Sequence, residues 1–145
     1  MKEKNMLPKD AAKALEAEGK KVLTLIIKQT YFDQILAGTK KQEFREVKGT
    51  TYKKLVKVDK SGENFLFDEN EHLIPIHYDA LLLFVGYHSV RDSALVNVKS
   101  AEEKFFTDEN GEVVKVELDD GTTAYPSQIA YNLGDVLAKD VHPKG

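Results

Sequence analysis

Residues 22–47 read VLTLIIKQTYFDQILAGTKKQEFREV, and three periodicities follow one another within that stretch. Val22 to Lys28 is apolar on both alternating faces, the pattern of a strand buried inside a sheet. The spacing then changes: Phe32, Ile35 and Leu36 recur at i, i+3 and i+4 and make one apolar helical stripe. Thr30 offers a side-chain oxygen as an N-cap, and Asp33 stands three residues on, where a capping-box partner belongs. Gly38 supplies a left-handed terminus, which glycine adopts without steric cost. This predicts a short helix over Thr30 to Ala37. Residues 41–47 return to a period of two, with Glu43, Arg45 and Val47 on one face and Gln42, Phe44 and Glu46 on the other.

Working outward, Ala80 to Val85 (ALLLFV) reads as a second buried strand closed by Gly86, and Ala94 to Lys99 as a third. Ile129 to Leu137 reads as a strand broken at Gly134-Asp135. Thr50 to Val58 fits helix or strand equally. Two segments read as hairpin insertions. In one, Phe65–Phe67 and His72–Ile76 flank Asp68-Glu69-Asn70. The other runs from Lys104 to Tyr125 through turns at Asn110-Gly111 and Asp120-Gly121. Residues 1–20 are polar, with a short helix over Ala11 to Ala17 ended by Gly19, and form an extension to a domain over 21–145. Short strands joined by tight turns dominate. The expected class is α+β: an antiparallel or mixed, partly open β-barrel flanked by short helices, not a doubly wound sheet.

The chain has 145 residues, 41% apolar and 31% charged, too apolar for a disordered segment. The longest apolar run, Ala80 to Val85, is far short of the roughly 18–20 residues that span a bilayer. No apolar segment follows Met1 to Lys4, so a secretory signal is not expected. With no cysteine, disulfides, thiolate metal sites and cysteine nucleophiles are excluded. A cytoplasmic domain without a membrane partner is the expectation. There is no Gly-rich phosphate loop and no G-x-S-x-G elbow, and His72, His77, His88 and His142 lack metal-ligand spacing. Neither a metal nor a cofactor is expected. The net charge of −3 conceals a division: residues 1–60 sum to +7 and residues 61–145 to −10.

The run most able to carry chemistry is Gly38 to Arg45, G-x-K-x-x-E-x-R, at the predicted helix-to-strand junction. Glu43 and Arg45 project on one side of a strand with Cα atoms about 6.5–7 Å apart. That spacing suits an ion pair or two groups sharing one ligand. Lys40 has the opposite strand parity and joins them only if the strand proper starts after it. Alternating charges of this kind also occur on solvated faces, where each ion pair contributes little.

Residues 23–47 resemble the N-terminal half of an ASCH (activating-signal-cointegrator homology) domain, within the PUA-like superfamily: a buried strand ending near Lys28, a short helix, then Gly38, Lys40, Glu43 and Arg45. Leu81 to Tyr87, the following ALVNVKSAE and the closing YNLGDVL resemble the family's later strands. The likeness covers most of residues 22–137, outside the extension and the two hairpins. It implies a PUA-like barrel with a cleft lined by the motif residues, binding single-stranded RNA or a nucleoside or nucleotide. In that reading Lys28, Lys40 and Arg45 neutralise phosphate, Glu43 accepts from a base amino group, and Tyr87 offers a stacking ring. Some members of the family remove the acyl group from N4-acetylcytidine and others cleave RNA, which makes Lys40 and Glu43 the candidate catalytic pair. In the amidohydrolase branch a Thr nucleophile occupies the Glu43 position, so here the carboxylate would act as general base on water. That branch also uses a more distant Glu, for which Glu102, Glu103 and Glu117 are the candidates. A protein-interaction module using the acidic second half is the third expectation.

Overall fold

The computed structural model describes residues 6–143, so the first five residues of the expected N-terminal extension lie outside it. Ten elements follow in chain order: α1 (Pro8–Ala17), β1 (Val22–Ile27), α2 (Gln29–Ala37), β2 (Gln42–Glu46), α3 (Tyr52–Leu55), β3 (Ala80–Val85), β4 (Ser93–Phe105), β5 (Val116–Glu117), β6 (Thr123–Ala124) and β7 (Ser127–Asp140). Five strands form a mixed sheet in the order β1-β3-β4-β7-β2, and β5 and β6 form a separate antiparallel pair. The five-stranded sheet has β1 and β2 as its edges and is not closed, so the α+β class holds while no closed barrel is formed. No helix among the described residues is long and apolar enough to cross a membrane.

Contacts divide the chain into two compact units. The first comprises Met1–Glu43, His77–Ser100 and Asn132–Gly145, the second Phe44–Ile76 and Ala101–Tyr131.

In the first unit, β1 runs parallel to β3 with Val22 opposite Ala80 and Ile27 opposite Val85, and β3 runs antiparallel to β4. Side chains alternate across the pleat, so Leu81 and Leu83 line one face of β3 while Ala80 and Leu82 line the other. Helix α1 covers that second face: Ala12 is buried with Ala80, Leu82, Leu95 and Ala138, and Ala11 and Leu15 pack beside them. Small side chains on the helix allow this close approach. Pro8 suits the first turn, where its missing N–H has no helical partner to lose. Asp79 ties the entry of β1 to that of β3: its Oδ2 accepts from the Lys21 amide at 2.9 Å and its Oδ1 bonds His77 Nε2 at 3.0 Å. These bonds, the Lys21 amide first, hold the Asp79 carboxyl below its ordinary pKa.

Two local expectations are corrected here. Thr30 is not the N-cap of α2; the helix begins a residue earlier, with Lys28 as N-cap and no side-chain cap. The Phe32 amide donates to the Lys28 carbonyl, and Asp33 accepts instead from Gln29 Nε2, a one-turn side-chain pair. Gly134-Asp135 does not break β7, which runs unbroken from Ser127 to Asp140. A Cβ at Gly134 would stand 2.6 Å from Asn97 Nδ2, so the glycine permits a close crossing against β4.

In the second unit, the ambiguous Thr50 to Val58 resolves into one helical turn, α3, followed by extended chain. Antiparallel bridges join Val56 to Pro75, Val58 to Phe65, Phe67 to Leu73 and Thr107 to Val113, and β5 pairs with β6. Both hairpin insertions are therefore present. Their tips share one device. Asp68 Oδ1 accepts from the amides of Asn70 and His72, and Asp108 Oδ1 from those of Asn110 and Glu112. Each turn closes on a left-handed residue, Glu71 at φ 63° and Gly111 at φ 81°.

Candidate functional site

The G-x-K-x-x-E-x-R run folds as a corner of the first unit. Gly38 caps α2 in the left-handed region at φ 82°, and the Thr39 and Lys40 amides both return to the Gln34 carbonyl. Thr39 Oγ1 donates to the same oxygen at 3.2 Å. The chain therefore wraps tightly over the helix end before β2 starts at Gln42. Because the strand starts after Lys40, the parity obstacle disappears. Lys40 Nζ lies 3.7 Å from Glu43 Oε1, with the Lys40 side chain 18% exposed and that of Glu43 4% exposed. A carboxylate so far removed from water needs a cation or donors beside it. The Lys40 ammonium also stands 5.0 Å from the centroid of the Tyr31 ring, within cation–π range.

Tyr31 was not legible as a site residue. It is nine residues before Lys40, and only the reversal at Gly38 brings the two together. It connects the corner to the sheet end. Tyr31 is three residues after Lys28, on the same side of the first turn of α2. Lys28, exposed, follows Ile27, whose register partner across parallel strands is Val85. Neighbouring strands lie about 4.8 Å apart, so the segments starting at Lys28 and Gly86 leave the sheet side by side. Tyr87 is 84% exposed at this exit. Arg91 steadies the exit: its Nη1 donates to the Gly86 carbonyl at 2.6 Å, and its guanidinium lies 4.1 Å from the Phe84 ring centroid. Buried Asp92 accepts from Gln29 Nε2 at 3.0 Å and from the His142 amide at 2.8 Å, tying the start of α2 to the tail beyond β7. Thus Lys28, Tyr31, Lys40, Glu43 and Tyr87 all belong to the first unit, and the Lys40–Glu43 pair is the part in direct contact. Arg45, half-buried in β2, belongs to the second unit.

Of the candidates for a distant Glu, Glu102 and Glu117 are exposed and Glu103 is buried within the second unit. Glu103 Oε1 accepts from the Leu73 amide at 2.9 Å and bonds His72 Nδ1 at 3.1 Å; Oε2 accepts from Ser127 Oγ at 2.6 Å. The carboxylate stands between serine and imidazole, so the serine hydroxyl bonds the carboxylate and not the imidazole, unlike a Ser–His pair, and the set ties the hairpins together as a structural clamp. Among the described residues no group of three or more His, Asp or Glu side chains is placed to hold a metal ion. Asp59, Asp68 and Asp120 are turn caps whose bonds hold their carboxyls below the ordinary range, Asp59 at about 2.

Comparison of the chain with protein-family models, with curated proteins and with solved structures finds no match.

Proposed function

We propose that the chain is a PUA-like, ASCH-type domain that binds RNA or a nucleotide at the end of the sheet where Lys28, Tyr31, Lys40, Glu43 and Tyr87 gather. The observation that carries this reading is the buried Glu43 carboxylate beside the largely covered Lys40 ammonium, under an accessible tyrosine ring. The three groups offer what a nucleotide asks for: a cation for phosphate, an acceptor for a base amino group, and a π-face for stacking. Tyr87, projecting from an exit held by Arg91, adds a second ring. Arg45, in the part of β2 that belongs to the second unit, is a further cation of the motif. The resemblance of Gly38, Lys40, Glu43 and Arg45 to the family motif supports the same reading.

The test is binding of fluorescein-labelled single-stranded RNA over a salt series. Lys40→Gln with Arg45→Gln is expected to weaken binding and flatten the log–log salt slope by about 1.4, since each phosphate contact on a single strand contributes about 0.7. An unchanged slope would remove both residues from the interface. The Lys40–Glu43 pair also supports a second reading, a hydrolase in which Glu43 takes a proton from water as its oxygen attacks the acyl carbonyl of an N4-acylated cytidine, and returns that proton to the N4 amine as the C–N bond breaks and the free acid leaves. Acyl release across a nucleoside panel, lost in Glu43→Gln, distinguishes catalysis from binding alone.

A further inference from the structure

Of the net +7 carried by the first sixty residues, +4 falls in residues 45–60. Residues 45–60 carry six Lys or Arg against Glu46 and Asp59. Both acids are engaged. Glu46 lies 3.6 Å from Lys48 Nζ. Asp59 turns back into its own loop, where Oδ1 accepts from the Ser61 amide and hydroxyl and from the Gly62 amide, and Oδ2 from Asn64 Nδ2 at 2.8 Å. Among the described residues Lys53, Lys57 and Lys60 form no ion pair, and all three are exposed.

These lysines stand on a rigid arm of the second unit. The Val58–Phe65 bridge, the Leu66 amide on the Lys57 carbonyl and the Asp59 amide on the Asn64 carbonyl close the hairpin that carries Lys57 in its arm and Lys60 in its turn. The Phe65 ring meets the Tyr52 ring edge-on at 5.3 Å and 87°, and Tyr52 Oη is bonded to the Gly62 carbonyl at 3.3 Å. Phe65 is nevertheless 42% exposed, a fixed aromatic surface open to solvent. Lys53 lines an open hollow of about 340 Å³ bounded by residues 49–54. That volume is within the range of small-molecule sites and admits a phosphate with its sugar.

We infer that this arm is a second RNA contact surface, in which Lys53, Lys57 and Lys60 take successive backbone phosphates and Phe65 stacks an unpaired base. The inference rests on the RNA-binding reading and gives the second unit an RNA contact surface of its own. Each phosphate that an ammonium group neutralises releases cations condensed on the RNA, which is the driving term of such contacts. An exposed, immobilised ring stacks any base with little loss of side-chain freedom.

The experiment is anisotropy of a fluorescein-labelled twelve-nucleotide oligocytidine between 0.05 and 0.3 M KCl. It compares the unsubstituted chain with the triple variant Lys53→Gln, Lys57→Gln, Lys60→Gln. A charge-matched variant, Lys104→Gln, Lys115→Gln, Lys139→Gln, controls for net charge, and thermal unfolding confirms that all are folded. The expected result is a slope smaller by about 2 and, near 0.1 M salt, affinity lower on the order of 100-fold in the triple variant, with the control close to the unsubstituted chain. Phe65→Leu, which keeps an apolar side chain against Tyr52, is expected to lose at least about fivefold in affinity with its slope unchanged. A triple variant that binds like the unsubstituted chain overturns the inference, as does equal loss in the control. If Lys40→Gln still weakens binding in that case, the RNA reading survives and only the second surface falls. If the unsubstituted chain does not bind oligocytidine, both fall together.

Discussion

The first unit is held by side chains that exclude water: Ala80, Leu81, Leu83, Ala94 and Val96 are 0% exposed, on the paired strands β3 and β4. The second unit has buried apolar residues too, Leu55, Val56 and Ile129 among them, but Phe65, Phe67, Val113, Val116, Leu118 and Tyr125 are all at least 42% exposed. Its order depends heavily on polar bonds from side chain to backbone, namely the Asp59, Asp68, Asp108 and Asp120 turn caps and the buried Glu103 clamp. The difference teaches that one chain can use two means of fixing structure. A packed sheet tolerates no lost volume, whereas a set of hairpins tolerates no lost hydrogen bond.

Phe32→Ala breaks the comparison from the first side. The Phe32 ring is 0% exposed within α2, and its removal is expected to cost about 3–5 kcal/mol, read as a fall in the midpoint of denaturant unfolding. Little loss would mean that this helix contributes far less to the sheet than its burial implies. Glu103→Ala tests the second side. It leaves the Leu73 amide and the Ser127 hydroxyl without their acceptor in a buried setting, an expected cost of about 2–4 kcal/mol. Faster hydrogen exchange at Leu73 than at Leu83 would show that the damage stays with the hairpins; uniform acceleration would show a single cooperative unit. The smallest effect comes from acid. Asp59 titrates at about 2 when folded against an ordinary 3.8, so its contribution is complete above pH 4 and is lost as pH falls through about 2. An NMR titration of the Asp59 carboxyl carbon with a midpoint near 2, accompanied by shifts of the Ser61 and Gly62 amides but not of β3, is expected. A midpoint near 4 would mean the turn is not held as described.

Ala80 to Val85 was legible residue for residue, because a continuous apolar run between Asp79 and Gly86 has few alternatives to a buried strand. Gly38 was legible for a comparable reason, since its place after an apolar helical stripe requires the left-handed terminus it adopts. The start of α2 was misread because Thr30 is a good cap in isolation, while the carbonyl of Lys28 was already placed by β1 to receive the first helical bond. Gly134 was misread because a glycine that interrupts a strand and one that admits a neighbour look alike until the neighbour, Asn97, is in place. Lys40 and Glu43 were legible as a pair; Tyr31 was not.

What the amino-acid order determined by itself is local: the periods of two and of 3.6, the turn residues, the absence of thiols, and the concentration of lysine before residue 61. What tertiary structure alone decided is which of these meet. A parallel pairing of β1 with β3 put Lys28 beside the exit to Tyr87, the reversal at Gly38 brought Lys40 to Tyr31 and Glu43, and β4 and β7 grew well beyond their apolar segments. The physical reason is range. Periodicity and backbone preference act within a few residues, whereas strand pairing and burial depend on partners tens of residues away, and nothing in a local window records them.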